Sequence, residues 1–490
     1  MKAVVAAFLH TNNDLSRGML NTSGLLYLSA RAVSAAGNLL AVAIFSRLAG
    51  PAEYGHYLLI FAWSLIVYGF GAQWMRFAYF GVYHQERLGE YVASLARLLG
   101  GGLAIVALVL TALGLFGFFE PSFLIAVFAL VCGITIYEAA FEVARTLLNA
   151  RGASLSMIIR TVLMISFGSA SLYAGGGARG LAVAIAVAHL IAAAPSLATF
   201  THVRLSHFSR AASWHIVSYG WPLLLSFGVT ALGQSIDRLL LAHYLGLATL
   251  GPYGVVADVL RQSFTVLGEA IILSLVTVAK TQANRGNQEA ANHTLQMAFN
   301  ACLAAASFGA AFFIVFGQVV LQAILQPEFV APTRGLIPIL AIAFAFATMR
   351  NFYFAQVIYF TKASYLDLVV AVLFLVVSTA LSVVLVPADG PQGAAIALMV
   401  ACIVACLAFM LLGRRWYRMP VDLVALGVMP SLAVLFVFGA HMTGELIPGH
   451  SLPLLVDAVV FAVFGAYAIH HFGLLRLPSA EIVGERITVP

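Results

Sequence analysis

Apolar residues run through this chain in stretches of about 20, broken by short clusters of charge, proline and glycine, from residue 22 to residue 473. A helix rises about 1.5 Å per residue, so each stretch is long enough to cross the hydrocarbon layer of a bilayer. The pattern predicts fourteen membrane-spanning helices, at 22–46, 56–80, 95–118, 121–148, 153–174, 180–203, 214–237, 252–277, 294–318, 332–360, 364–387, 391–413, 420–443 and 451–473. The long apolar stretch near 101–148 is divided at Glu120-Pro121, because proline fits the first turn of a helix and disrupts a later one. No soluble domain of any size fits between the spans. The fold class expected is therefore an all-α, multi-pass membrane protein.

Composition agrees. The 490 residues are 62% hydrophobic and 9% charged, whereas soluble domains carry about 25% charged residues. The net charge of +6 does not point to nucleic acid, since Lys and Arg form no basic stripe and sit where membrane orientation demands them. Cys132, Cys302, Cys402 and Cys406 all lie in apolar stretches without a nearby His or carboxylate, and read as small buried hydrophobes. No metal site and no cofactor is expected. The apolar run from Ala3 to Leu9 is followed by His10 to Asp14 without a small-residue cleavage site, so no signal peptide is expected.

With both termini placed in the cytosol, 17 of the 25 Lys and Arg residues fall on the inner side. These are Lys2, Arg17, Arg87, Arg97, Arg145, Arg151, Arg160, Arg204, Arg210, Lys280, Arg285, Lys362, Arg414, Arg415, Arg418, Arg476 and Arg486. Only Arg47, Arg179, Arg238 and Arg334 fall outside, a bias that predicts N-in, C-in topology.

The remaining four arginines lie inside spans, and they are the candidate chemistry. Arg31, Arg76 and Arg350 have no acidic residue within four positions, and a guanidinium at the centre of a bilayer costs about 2.5–3.5 kcal/mol even on lenient insertion scales. Each must face a protein interior or a cavity. Either a carboxylate on another helix, such as Glu138, Glu142, Glu269 or Asp258, neutralises it, or an anionic substrate does. Arg261 is a weaker candidate, because Asp258 three positions earlier on the same helix can satisfy it locally. Asp237 and Arg238 sit at an outer helix end and read as a local ion pair or a gate between lobes. The aromatic run Phe352-Tyr353-Phe354, with Tyr359-Phe360, either stacks on sugars or serves as interfacial and lipid-facing aromatics. No set of residues suggests catalysis, and no loop is large enough to hold the site of a membrane glycosyltransferase or polymerase.

The chain also repeats itself. At an offset of 196, Gly50, Ala52, Gly55 and Tyr57 fall on Gly246, Ala248, Gly251 and Tyr253; "GLAVAIAVAHLIAA" from Gly180 aligns with "GAAIALMVACIVAC" from Gly393, and "ARGASL" at Ala150 with "FTKASY" at Phe360. Three matches in the same order predict two six-helix lobes related as parallel repeats, residues 1–212 and 213–413, followed by two further helices in 414–490.

The segment "FSRLAGPAEYGHYLL", the stretch "YGWPLLLSFGVTALGQSIDRLLLAHYLGLATLGPYGVV" and "QGAAIALMVA" resemble the polysaccharide transporter family of oligosaccharide flippases, in the multidrug/oligosaccharidyl-lipid/polysaccharide (MOP) superfamily. The resemblance covers roughly residues 20–415. It implies a flippase fold with lobes around a cavity lined by helices 1, 2, 7 and 8. It further implies an inner-membrane protein of bacteria that moves undecaprenyl-diphosphate-linked oligosaccharide to the outer leaflet for exopolysaccharide, O-antigen or capsule synthesis. Membrane lipids and polysaccharide polymerase and export proteins are the implied partners. Lipid II flippases and multidrug antiporters of the same superfamily are the alternatives. An antiporter would want an acidic residue in the first helices, where only Glu53 occurs, in the connecting turn.

Overall fold

The computed structural model of the protein describes residues 2–147, 149–198, 209–361, 365–446 and 451–474, with side chains from residue 29 onward except at 85, 273 and 451. Of the expected inner-side charges, Arg204, Lys362, Arg476 and Arg486, and the side chains of Lys2 and Arg17, lie outside what is described. Among the described residues there are only helices and turns. Twelve continuous helical segments are long and apolar enough to span a membrane. Two of the twelve are each a pair of spans. Lys2–Tyr68 is interrupted at Gly50 (φ 71°, ψ 169°) and Tyr365–Gly413 at Gly390 (φ 60°, ψ −135°), which brings the spans to fourteen.

We number the spans α1 (2–49), α2 (51–82), α3 (Leu88–Leu115), α4 (Pro121–Thr146), α5 (Ala150–Tyr173), α6 (Gly177–Leu197) and α7 (Arg210–Leu245). They continue as α8 (Leu247–Asn284), α9 (Gln288–Ile324), α10 (Leu336–Tyr359), α11 (365–389), α12 (391–413), α13 (Leu423–Leu446) and α14 (Ser451–His471). The helix containing the first span begins well before residue 22, at Lys2. Pro121 opens α4 at its first turn, as its missing N–H requires. Asn149 caps α5, accepting from Gly152 N at 2.9 Å, and Asn287 caps α9, accepting from Ala290 N at 3.0 Å.

The internal repeat is written into the backbone. Gly50 and Gly246, paired by the sequence offset, share one left-handed conformation, φ 71° and ψ 169° against φ 81° and ψ 175°. Gly177 and Gly390, each three residues before the aligned Gly180 and Gly393, have φ 56° and 60°. A side chain would be strained at each of these corners, so the sharp turn from one span to the next is encoded by glycine. Glu53, just past the first corner, accepts a hydrogen bond from Ala178 N at 2.8 Å and so places a carboxylate at the start of α6.

By its contacts the chain forms two compact units, residues 1–242 and 243–490. The dividing line lies within α7, beyond the residue at which the second sequence repeat starts.

In the first unit, helices meet through small residues, as lipid-embedded packing requires where no hydrophobic force distinguishes protein from lipid. A Cβ on Gly133 of α4 would lie 2.7 Å from the carbonyl oxygen of Ala186 on α6, so these backbones touch. Gly220 and Gly228 on α7 receive the rings of Trp74 and Phe70 from α2 in the same way.

In the second unit, α13 and α14 pack on α9 through an aromatic cluster. Phe436 stands 6.1 Å from Phe316 and 5.3 Å from Phe461, between ring centroids. Asp422 fixes the start of α13, accepting from Val424 N and Ala425 N at 3.0 Å each and from Asn300 Nδ2 of α9 at 3.2 Å. Burial works against its charge, but the hydrogen bonds from Ala425, Asn300, Gln296 and Val424 prevail and hold the carboxyl below its ordinary pKa. A depressed carboxyl contributes stability above its unfolded pKa, near about 3.9, and that contribution is lost as pH falls through the lower folded value. Asp422→Ala should therefore lower thermal stability at neutral pH by about 1 kcal/mol. Melting curves of the variant and the parent in detergent should draw together as the pH falls below about 3.9, the unfolded value, and meet below the lower folded one.

Candidate functional site

The first unit holds a buried polar cluster built by α1, α2, α4, α5 and α6. Helix α2 is not regular at membrane depth: Gly69–Gln73 forms a π-helical turn, which shifts the face presented by the next segment, Trp74–Val82. Arg76 emerges two residues into that segment. Its guanidinium pairs with Glu138 on α4 and lies 3.8 Å from Glu142, one turn further along the same helix. The Arg76 side chain is 14% exposed, and its Nε has no hydrogen-bond partner. Its cationic carbon also sits 4.6 Å from the centre of the Phe77 ring. Of the alternatives open in the sequence, Arg76 thus takes a carboxylate partner in this structure.

Glu142 is shared. Its carboxylate is 3% exposed and accepts from Arg145 Nη1 at 3.3 Å, so two arginines and two carboxylates form one charge-balanced network between α2 and α4. The hydroxyl of Tyr68 and the indole N–H of Trp74 are buried without hydrogen-bond partners.

One arginine that belongs here was counted among the inner-side charges. Arg160 lies in the interior of α5 rather than in a loop. Its Nη2 donates to Ser34 Oγ on α1 at 2.9 Å, its guanidinium lies 5.2 Å from the Tyr137 ring, and its Nε has no hydrogen-bond partner. Among the described residues no carboxylate lies within ion-pair distance of it. The signal was present in the sequence, because Arg160, like Arg31, Arg76 and Arg350, has no acidic residue within four positions. Arg31 is on α1, three positions before Ser34 and so on the same helix face, and it is partly buried with its own contacts.

The second unit contributes Arg350 on α10. Its Nε donates to Asn351 Oδ1 at 2.8 Å and its guanidinium stacks 4.9 Å from the Phe374 ring of α11; no carboxylate among the described residues pairs with it. Arg261 and Asp258 form the local pair their spacing suggests. Asp237 and Arg238 are buried within α7, 5% and 3% exposed, with Asp237 Oδ1 accepting from Arg238 N at 2.9 Å. Of the aromatic run, Tyr353 and Phe354 are core residues: Tyr353 is fully buried, donates to Pro420 O and packs 5.1 Å from Phe299. The four cysteines are free thiols, and no cluster of metal-ligating residues occurs among the described residues.

No protein-family model and no curated protein matches this sequence. The fold does match solved transporters. The lipid II flippase MurJ, in an inward closed conformation, superposes with a TM-score of 0.67 at 13% identity, over 92% of this chain and 100% of that one. A mutant of the Vibrio cholerae MATE transporter VcmN matches with a TM-score of 0.57 at 15% identity, over 81% of this chain and 95% of that one. A MOP superfamily transporter from Pyrococcus furiosus gives 0.55 at 16%, over 80% and 93%. This chain therefore shares the all-helical fold of these transporters.

Breaking the Arg76 pair should be costly in itself. Arg76→Ala leaves Glu138 and Glu142 short of a partner and should destabilise by about 3 kcal/mol, the lower end of the buried-pair range because Glu138 is partly exposed. The double variant Arg76→Met/Glu138→Leu should recover most of that loss, since an apolar pair leaves no charge behind. Thermal unfolding of the three proteins in detergent checks this; equal melting temperatures for parent and Arg76→Ala would show that the network carries no stability.

Proposed function

We propose that the protein is a flippase that moves undecaprenyl-diphosphate-linked oligosaccharide across the bacterial cytoplasmic membrane, by alternating access, for polysaccharide synthesis. The observation that carries the reading is a pair of guanidinium groups within the spans, Arg160 and Arg350, that no carboxylate pairs with among the described residues. Arg160 and Arg350 are held by a serine hydroxyl, an asparagine amide and aromatic rings rather than by carboxylates. A permanent cation kept at membrane depth without a full counter-charge is suited to an anionic cargo. A diphosphate offers the planar oxygens that a guanidinium fork binds in pairs. In the first unit Arg31 and Arg76 are proposed as phosphate ligands beside Arg160; in the second unit Arg350 is proposed in its own right, and Arg261 is subordinate because Asp258 already occupies it.

A cation antiporter is the poorer reading. Of the first unit's carboxylates inside the spans, Glu138 and Glu142 are engaged with Arg76 and Arg145, and Asp237 accepts from Arg238 N. A lipid II flippase is the second reading, and the full-length likeness to MurJ favours it specifically. Both cargoes are sugar diphosphate lipids.

In proteoliposomes carrying undecaprenyl-diphosphate-linked oligosaccharide, Arg160→Ala and Arg350→Ala should each slow translocation by about 10- to 100-fold, the equivalent of one charge-assisted hydrogen bond. Lysine at either position should restore only part of the rate, since a point charge keeps the sign but loses the fork. Normal translocation by both alanine variants would end the diphosphate assignment.

For orientation we adopt the N-in, C-in arrangement that the Lys and Arg bias supports. Cysteines introduced at Gly177 and Asp389 should react with an impermeant reagent from outside, and those at Gly152, Gly286 and Arg415 only from inside. The reversed pattern at two or more sites would invert the topology.

A further inference from the structure

A pocket open to the surface of the first unit lies where the end of α2 meets the start of α7. It has a volume of about 490 Å³ and is lined by Gly81, Tyr83, His84, His215, Ser218 and Tyr219, with Val82 completing the wall. That volume falls within the range of about 300–1,000 Å³ that small-molecule sites occupy.

The side chains are held for contact. A Cβ at Gly81 would lie 2.7 Å from the Tyr219 ring, so the glycine lets the phenol settle on the α2 backbone. Even so, Tyr219 remains 53% exposed, and its ring is open to a ligand. His215 is oriented by a 3.0 Å hydrogen bond between its Nδ1 and the buried Tyr91 hydroxyl, which leaves Nε2 available. His84 stands edge-on to the same Tyr91, with ring centres 5.8 Å apart. No Asp, Glu, Lys or Arg lines the cavity.

Flat aromatic faces, imidazole and hydroxyl groups and the absence of Asp, Glu, Lys and Arg together define the ligand class. A hydrocarbon chain would not require His84, His215 and Ser218, an anion would want a cation, and a cationic drug would want a carboxylate. A pyranose ring fits, because its C–H face lies on an aromatic ring while its hydroxyls exchange hydrogen bonds with imidazole and serine. Position agrees with chemistry. Gly81 follows Arg76 by five residues, about 7.5 Å along the helix axis, and Phe77 bridges the interval, stacked at 4.6 Å on Phe227.

We propose that this cavity is a glycan subsite that takes the sugar ring nearest the diphosphate of the lipid-linked substrate. The proposal rests on the flippase reading and gives the substrate a second recognition element separate from the arginines.

The test measures binding to the full-length protein in nanodiscs with three probes: bare undecaprenyl diphosphate, and the same lipid carrying glucose or N-acetylglucosamine. For the parent protein, either sugar should strengthen binding by about tenfold over the bare lipid. Tyr219→Leu and His215→Ala should erase that increment and leave the affinity for bare lipid unchanged. Tyr219→Phe, which keeps the ring, should retain most of it, and this separates stacking from a folding defect. Equal affinity of the parent for all three probes would overturn the subsite. So would a Tyr219→Leu variant that loses bare and glycosylated lipid alike. Failure of the parent to bind bare undecaprenyl diphosphate would instead overturn the flippase reading, and the subsite with it.

Discussion

A guanidinium group inside a bilayer is the constraint on which the rest of this structure turns. It stays protonated under any condition a cell offers, so it cannot escape the cost of burial by losing its charge as a lysine or histidine can. The protein answers that cost in different ways. Arg76 receives two carboxylates from α4, whereas Arg160 receives a hydroxyl and the face of a tyrosine, and Arg350 an amide and the face of a phenylalanine. Neutral hydrogen bonds and cation–π contacts hold a cation in place and leave its charge uncancelled. The first arrangement closes a charge network; the other two leave a guanidinium with neutral partners, and it is there that the flippase reading proposes an anion.

Supporting those side chains at membrane depth needs backbones that approach closely and turn sharply. Gly133 against Ala186, and Gly220 and Gly228 beneath the rings of Trp74 and Phe70, bring α2, α4, α6 and α7 close enough for side chains on separate helices to meet. The glycine corners at 50, 177, 246 and 390 keep the connections short, so most of each unit is membrane-embedded helix. The π-helical turn at Gly69–Gln73 then rotates the end of α2, and Arg76 with it.

Much of the fold was legible in the sequence, because a bilayer imposes one length and one polarity on every span. Both ends of α12 and the start of α4 fall where the apolar pattern and Pro121 put them. The sharp corners were legible too, since the glycines paired by the sequence offset, Gly50 and Gly246, both take positive φ. The site was only partly so. Missing local counter-ions singled out Arg76 and Arg350, but the partnership of Arg76 with Glu138 joins residues 62 apart in sequence, which no helical periodicity reveals. Arg160 counts as an inner-side charge in the sequence because it stands in the first turns of the predicted span 153–174. The pocket of His84, His215 and Tyr219 was invisible for the same reason as the ion pair, its two walls coming from segments more than a hundred residues apart. Conversely, the sequence leaves Tyr353 and Phe354 open to sugar stacking or to an interfacial or lipid-facing place, and in the fold they are core residues.

The central claim is that incompletely neutralised arginines within the spans select an anionic lipid. It is tested most directly by comparing the binding of undecaprenyl diphosphate and of undecaprenol, which has the same chain without the phosphates, to the purified protein in nanodiscs of uncharged lipid. The account predicts that the diphosphate binds at least about 100-fold more tightly, the worth of two charge-assisted contacts, and that the preference shrinks as salt is added. Equal affinity for the two lipids would contradict it.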